Sequence, residues 1–599
     1  MPTRPHRCVV PLALLALSCV AALPALAQWP ADGLRIAPTS TGQNAPLAVT
    51  DGGAPNEGGS GVIVVWQETR GASGIDLYAQ HVLVDGSIAP GWPATGLPVC
   101  TANATQTSAV AIPDGAGGAF VAWRDFRSGG PTSTDIYAQH VTAGGSIAPG
   151  WPANGLALCT AEGGQRWPAL APDGAGGALA AWMDQRGGAS PDIFVQHVNG
   201  DGTLAYGWPV DGLPAFNHGE IGVPQPEQPV TAASDGAGGI IMLWTYYGVG
   251  YYDLRGQRMD GAGNRVWGDL AIEVATGYGF QYGGVPVPDG AGGVLFVYQD
   301  TGTNYPYDDI FAQRLGANGN PAPGWPSTTY GLPVCMAPDE QVAPAVVGDG
   351  AGGGFFSWKD SRAGAGNEDV YLQHVLGDAT RAPGWPGNGL MVCAAPGAQL
   401  APALVRDAWD GVIVAWQDAR GGGDDIYAVR IAGDGSVVPG WGTPAEGGSG
   451  GTPVCTATGD QIVPAMVSDG AGGALVVWQD ARSGTPAIYA QRVSDGGIVA
   501  PVAGVPPPAS PAPRLALAPR PNPAGSALSA AFSLPDGAPA RLELLDLSGR
   551  RLLAREVGTL GAGEHVLILH EADLLRAGVY LLRLTRGGLS VTARAVVLR

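Results

Sequence analysis

Apolar residues fall in short runs of strand length, and the runs recur along the chain. In the stretch 468–493, SDGAGGALVVWQDARSGTPAIYAQRV, a glycine-rich turn precedes the run ALVVW, a polar break and then IYAQRV. DGAGG supplies residues that tolerate positive φ in a tight turn. ALVVW is β-branched and aromatic, which suits a pleated surface. IYAQRV alternates apolar and polar positions with period two. The stretch therefore predicts a β-hairpin, a turn and a third strand. The aromatic that ends the second strand returns as Trp66, Trp123, Trp182, Trp244, Tyr298, Trp358, Trp416 and Trp478, at separations of 57, 59, 62, 54, 60, 58 and 62 residues. The chain is built from repeats.

Two further marks keep the same phase. A tryptophan, usually in GWP or WP, stands at 29, 92, 151, 208, 267, 325, 385 and 441, and a glutamine opens each unit at 43, 106, 165, 228, 281, 341, 399 and 461. The glutamines have the job of satisfying loop backbone groups, with ligand binding as the alternative. The phase itself is informative. The chain starts with a fourth-strand phrase at 29–43 and runs out after the third strand of its last unit, at IYAQRVSDGG. A first strand that completes the last sheet removes the exposed edge. The expectation is an all-β chain with an eight-bladed β-propeller over residues 28–502, closed by its N-terminal strand. The closure resembles that of β-propellers generally, WD-repeat proteins included, although WD, kelch and Asp-box signatures are missing.

Composition supports the all-β class. Among 599 residues there are 96 glycines and 52 prolines, yet apolar residues make up 45% and tryptophans number 17, which signals turns rather than disorder. Residues 28–513 carry 18 basic and 44 acidic groups, a net of −26, whereas 514–599 hold 11 arginines against 7 acids. Such a surface repels nucleic acid and anionic lipid. Residues 1–27 have the form of a secretory signal peptide, with Arg4 and Arg7, an apolar core from Val9 to Leu17, and cleavage between Ala27 and Gln28. Cys19 offers a weaker lipoprotein alternative. No later run is long enough to span a membrane. Cys100, Cys159, Cys335, Cys393 and Cys455 each end the same phrase, as in GLPVC; an odd number at one repeat position reads as small buried hydrophobes rather than disulfides or metal ligands.

Chemistry-bearing residues mostly repeat as well. Asp-x-Arg follows the tryptophan at Asp125/Arg127, Asp184/Arg186, Asp360/Arg362, Asp418/Arg420 and Asp480/Arg482, with Glu68/Arg70 in the first unit; a further aspartate opens most third strands. Paired carboxylates can act as acid and base or bind calcium. A motif copied around the ring reads as structural, and no cofactor or metal is expected. Calcium is the alternative, though the spacing lacks the ligand pattern of known calcium loops. Two adjacent units break the pattern. They lose the arginine and gain Tyr246, Tyr247, Tyr251, Tyr252, Tyr305 and Tyr307, with Tyr278 and Tyr282 in the connection between them. Loops between second and third strands share an end with inter-blade connections, so these eight tyrosines are the candidate platform for a glycan or peptide. HExxH is absent, and His81, His140, His197 and His374 follow the repeat.

Residues 503–519 form a proline-rich linker, and 520–599 read as a small β-sandwich. The matching phrases are Pro521-Asn522-Pro523, Leu534-Pro535, Asp546-Leu547-Ser548-Gly549-Arg550, Gly561-Ala562-Gly563 and Ala577-Gly578-Val579-Tyr580. This segment resembles the C-terminal sorting domain of type IX secretion substrates and the related Ig-like module of flagellar hook-capping proteins. The chain departs from it in using Arg594 and Arg599 where many members carry lysine. The resemblance implies the type IX machinery as a partner and the cell surface or medium as destination. The functional expectation is a secreted or surface-attached binding scaffold without catalysis, taking an extracellular glycan or protein. The alternative is a secreted propeller hydrolase or lyase acting on polysaccharide.

Overall fold

The computed structural model describes residues 29–597 apart from 53–60, 130–132, 217–228, 248–251, 303–305, 443–449, 500–515, 521–527, 535–537, 559–562, 570–575 and stretches of one or two residues. The leader and its cleavage point at Ala27 and Gln28 lie outside that range. The chain divides into two compact units, residues 1–500 and 501–599.

The first unit contains eight four-stranded antiparallel sheets among the described residues. The first comprises Gln43–Thr50, Val62–Glu68, Asp76–Val82 and Leu97–Cys100, paired in chain order. Each sheet's first strand touches the first strand of the next, and Gln461–Ser468 of the last touches Gln43–Thr50 of the first. The sheets thus stand around a ring, the architecture of a β-propeller. The last sheet has only three strands of its own; Leu34–Arg35 adds the fourth, with Leu34 opposite Ala490 and Arg35 opposite Tyr489. Trp29, Ile36 and Ala37 are buried behind that junction. Pro30 accepts from Gln491 at 2.8 Å, and Asp32 accepts from Arg482 at 2.7 Å through its carbonyl.

Two ends can be distinguished. Glycine-rich turns and the loops into fourth strands lie at one, which we call the turn end. Aspartate in seven of the eight turns accepts two backbone N–H groups of its own loop, as Asp114 does from Ala116 at 2.7 Å and Gly118 at 2.8 Å. Its second oxygen meets a histidine or arginine of the third strand, as in His140–Asp114 and Arg258–Asp235. These carboxylates are used up by the fold, which is the physical reason that the turns do not have the form of calcium loops. The tryptophan of each GWP phrase donates its indole N–H to a carbonyl of the neighbouring repeat, from Trp29 to Val84 at 2.9 Å through Trp441 to Asp495 at 2.7 Å. Eight such bonds join repeat to repeat, so stability is shared between nearest neighbours.

At the other end, Asp-x-Arg forms a clasp. Asp125 accepts from the Trp123 indole at 2.8 Å and from the Arg127 guanidinium at 2.9 and 2.7 Å. That guanidinium stacks 3.8 Å over Tyr137 and donates to Cys100 of the preceding sheet at 3.2 Å. The same set recurs around Asp184, Asp360, Asp418 and Asp480. The five cysteines are free and buried, and burial pushes the Cys100 and Cys393 thiols up to about 11. Six of the opening glutamines donate to loop carbonyls, as Gln399 does to Gly397 at 2.9 Å; Gln281 donates to Asp300 instead, and Gln228 lies outside the described residues. Glycine ahead of the fourth strand has a steric reason: at Gly155, φ +90°, a Cβ would lie 2.4 Å from the Trp123 ring.

The second unit has a three-stranded sheet, Ala516–Arg520, Ser529–Leu534 and Gly563–Ile568, and a four-stranded one, Arg551–Glu556, Ala540–Leu545, Gly578–Arg586 and Leu589–Val597. Leu528, Phe532, Leu542, Leu582 and Leu584 form one core between them. Residues 516–519, read from sequence as the end of the linker, are paired in this sheet. Within the motifs, Asp546 and Gly549 build a tight turn, and the Tyr580 hydroxyl donates to the Arg576 carbonyl at 2.9 Å. Among the described residues no helix is long and apolar enough to cross a membrane.

Candidate functional site

Sheets four and five lack the clasp, and what replaces it lies at the clasp end. In sheet four Tyr246 takes the position two after Trp244, where the other sheets place the clasp carboxylate. Period two sends Tyr246 to the same face as the tryptophan, so it is buried at 6% exposure, beneath the Arg255 guanidinium at 4.5 Å. Tyr246 therefore does not join the exposed platform expected from sequence. Tyr247 and Tyr252 are cross-strand partners with ring centroids 5.0 Å apart, and Tyr252 lies 5.3 Å from Phe280. The half-buried trio is an aromatic shelf, and Phe280 carries no sequence mark beyond its place just before Gln281. Tyr307 is exposed at 41%. Tyr251, Tyr278 and Tyr305 lie outside the described residues.

Tyr282 stands elsewhere, on the first strand of sheet five. There a bulge shifts the register between Tyr282 and Val285, with Gly283 at φ 71°. A bulge re-aims side chains, and the Tyr282 hydroxyl donates to Asp308, the residue immediately before the third strand. Gln299, opposite Tyr282, donates to the same Asp308 oxygen at 2.8 Å and accepts from the Ala343 N–H of sheet six at 3.0 Å. Asp308 is only 2% exposed, and its Oδ1 has no hydrogen-bond partner among the described residues.

Without clasp arginines, carboxylates influence one another across three sheets. Burial pushes Asp253 up to about 6, with the charges of Glu273 and Asp300 adding and Arg255 opposing. Asp300 is raised by burial and by Asp308, while Gln281 at 2.9 Å and the Gly302 N–H at 2.7 Å pull it down. Glu340 is raised by burial and then by Asp308; the Asp308 N–H and Lys359, the chain's single lysine, pull the other way. Burial and the Asp308 carboxylate push the Tyr282 phenol well up, so it serves as a hydrogen-bond donor. The run Glu273, Asp253, Asp300, Asp308, Glu340 forms an arc from sheet four to the edge of sheet six. Sequence reading missed it because its members come from separate repeats.

A raised carboxyl alone marks no site. Asp369 of sheet six is also pushed up to about 6, by burial and by Asp360, although its clasp is intact. Missing arginines, added aromatics and the partnerless Asp308 oxygen set the arc apart. Asp253 and Asp369 both bear on stability against pH. Their folded values lie above the ordinary unfolded value of about 4, so the fold binds more protons between about pH 4 and 6. That stability is present below about pH 4 and is lost as pH rises through about 6. Asp114, Asp173 and Asp349 are instead held down by histidine partners and turn N–H groups, against the desolvation that is their largest influence, and their contribution is lost in acid. The protein is expected to melt a few degrees higher at pH 5 than at pH 7.5, and lower again below about pH 4. Calorimetry across that range checks this, and a melting temperature that rises steadily to pH 7.5 contradicts it.

No protein-family model and no curated protein matches the chain. Solved structures do resemble it. A polysaccharide lyase, PL25 ulvan lyase bound to a GlcA–Rha3S fragment, is 11% identical over 67% of this chain and 96% of its own, at a TM-score of 0.42. The GH93 α-L-arabinofuranosidase of Fusarium graminearum with arabinobiose is 11% identical over 55% and 93%, at 0.31. An endo-arabinase from Bacteroides thetaiotaomicron is 12% identical over 54% and 92%, at 0.25. The expectation of a chain without catalysis is corrected on this finding, since these neighbours are carbohydrate-cleaving enzymes. Likeness at this level transfers no residue and no substrate.

Proposed function

We propose that the chain is an exported, eight-bladed propeller that cleaves polysaccharide at the clasp end of sheets four to six, by hydrolysis. The observation that carries the reading is a carboxylate arc without clasp arginines, beside an aromatic shelf, in the two adjacent sheets that lack the clasp among the described residues. Glycosidic hydrolysis uses one carboxyl group that still holds its proton and a second acting as carboxylate. Asp253, pushed up to about 6, keeps its proton to give to the leaving oxygen in mildly acidic solution. Asp308, braced by Tyr282 and Gln299, is the partner that takes a proton from the water whose oxygen replaces the leaving oxygen at the anomeric carbon. Tyr247, Tyr252 and Phe280 offer rings for the apolar faces of sugars. The test is incubation of the purified protein with a panel of polysaccharides. New reducing ends support the reading, unsaturated ultraviolet-absorbing ends assign a lyase instead, and intact polymers overturn it.

The second unit, on this reading, is an Ig-like sorting module, and residues 1–27 direct the first export step. What supports this is the set of motifs from Pro521 to Tyr580 on a small two-sheet unit with its own core. In a host with type IX secretion, the full chain is expected at the surface or in the medium. A version ending at Pro513 is expected to stall in the periplasm. Equal distribution of the two would leave the module a merely structural one.

A further inference from the structure

The charge around the arc, together with the bonding capacity of Asp308, restricts the substrate. Five carboxylates, Glu273, Asp253, Asp300, Asp308 and Glu340, act on one another there, and the cations acting on them are Arg255 and Lys359. Arg255 is already engaged, 3.4 Å from Glu273 and stacked over Tyr246. We infer that the substrate is an uncharged polysaccharide, free of uronate and sulfate groups. This rests on the polysaccharide-cleaving reading above and narrows it.

Three observations converge. The Oδ1 of Asp308 lies on a side chain only 2% exposed and accepts no hydrogen bond among the described residues. A carboxylate oxygen asks for a donor. A sugar hydroxyl provides one, and an uncharged sugar does so without the like charge that a uronate or sulfate group brings to the arc. Second, Asp253 sits at about 6 because burial and like charges disfavour its ionised form. An anionic substrate would raise it further and add repulsion. A cationic amino sugar would ionise it and remove the proton that cleavage needs. Third, the shelf of Tyr247, Tyr252 and Phe280 binds through apolar sugar faces, an interaction that requires no substituent charge. The surrounding propeller, at −26 over residues 28–513, reinforces the exclusion of anions at low salt.

The experiment compares matched polymers. Polygalacturonate, alginate and hyaluronan are each tested beside their carboxyl-reduced, uncharged counterparts, and arabinan, galactan and xylan are added as naturally neutral chains. Binding to the full-length protein is read by affinity electrophoresis and cleavage by reducing ends. Binding of at least one neutral polymer is expected about tenfold or more tighter than its charged form, with the gap narrowing between low and high salt as screening sets in. Lys359→Gln is expected to widen the gap. Equal or tighter binding of a charged polymer overturns the inference while leaving the cleavage reading in place. If no polymer of either kind is bound or cleaved, both fall together.

Discussion

Asp253→Asn is expected to reduce polysaccharide cleavage about 10²–10⁴-fold, the range for loss of a positioned general acid, while the melting temperature at pH 7.5 stays constant or rises. The two halves of this result have one cause. Burial, Glu273 and Asp300 disfavour the ionised form of Asp253 and push it up to about 6, so at pH 7.5 it carries a charge that its surroundings oppose. An amide removes the charge that the fold disfavours, so stability gains, but it carries no proton to donate. Sites that gain stability on losing function are those where function imposed the strain. Asp369→Asn is the matched control, because Asp369 is raised to the same value by the same kind of surroundings. It should raise stability at pH 7.5 and leave cleavage unchanged. In the wild type the rate should fall as pH rises through about 6, and Asp308→Asn should depress it at every pH. Comparable activity in Asp253→Asn and Asp369→Asn would remove Asp253 from the mechanism.

Deletion of residues 29–42 is expected to abolish the single cooperative melt of the first unit. These residues supply the last sheet's fourth strand and bury Trp29 and Ile36, each worth about 1.5–3 kcal/mol as apolar burial. They also supply the Pro30 and Asp32 carbonyls that accept from Gln491 and Arg482. Without them Ala487–Val493 becomes an open edge, and open edges recruit other strands. The arginine of the last clasp would also lose a carbonyl acceptor while remaining tied to Asp480. Size exclusion should show oligomers or aggregate, and scanning calorimetry a broad transition at lower temperature. A deleted chain that stays monomeric and melts like the intact one would show that the junction adds nothing to closure.

The fold was legible wherever one local requirement was repeated. A glycine-bearing first turn, DGAGG in six of the eight units, an aromatic at every second-strand end and a fourth-strand phrase out of phase at the start each point to a ring, because turn chemistry and period two act over a few residues. Asp-x-Arg was legible as structural by its repetition, and Asp125 with Arg127 shows the reason in its hydrogen bonds. Tyr246 was misleading only because its neighbours are aromatic; its position two after Trp244 already assigns it to the buried face. The arc was not legible. Asp253, Asp300 and Glu340 are separated by tens of residues, and each resembles an ordinary repeat aspartate or loop glutamate until the missing arginines bring their charges into play. Nor does sequence show that the GWP tryptophans hydrogen-bond across repeats, since donor and acceptor lie about one repeat apart, as Trp92 and Ala143 do.

The pairing of Leu34 with Ala490 also sets a timetable. A ribosome adding roughly 5–20 residues each second needs roughly 25–90 s to travel from one partner to the other. Throughout that interval the first strand has no sheet to join, while the sheets after it can form in turn, each against the one before. The last sheet is complete only when the oldest segment of the nascent chain reaches it. Final closure is therefore a late, long-range event, and the N-terminal segment must stay free and unaggregated until the eighth hairpin exists.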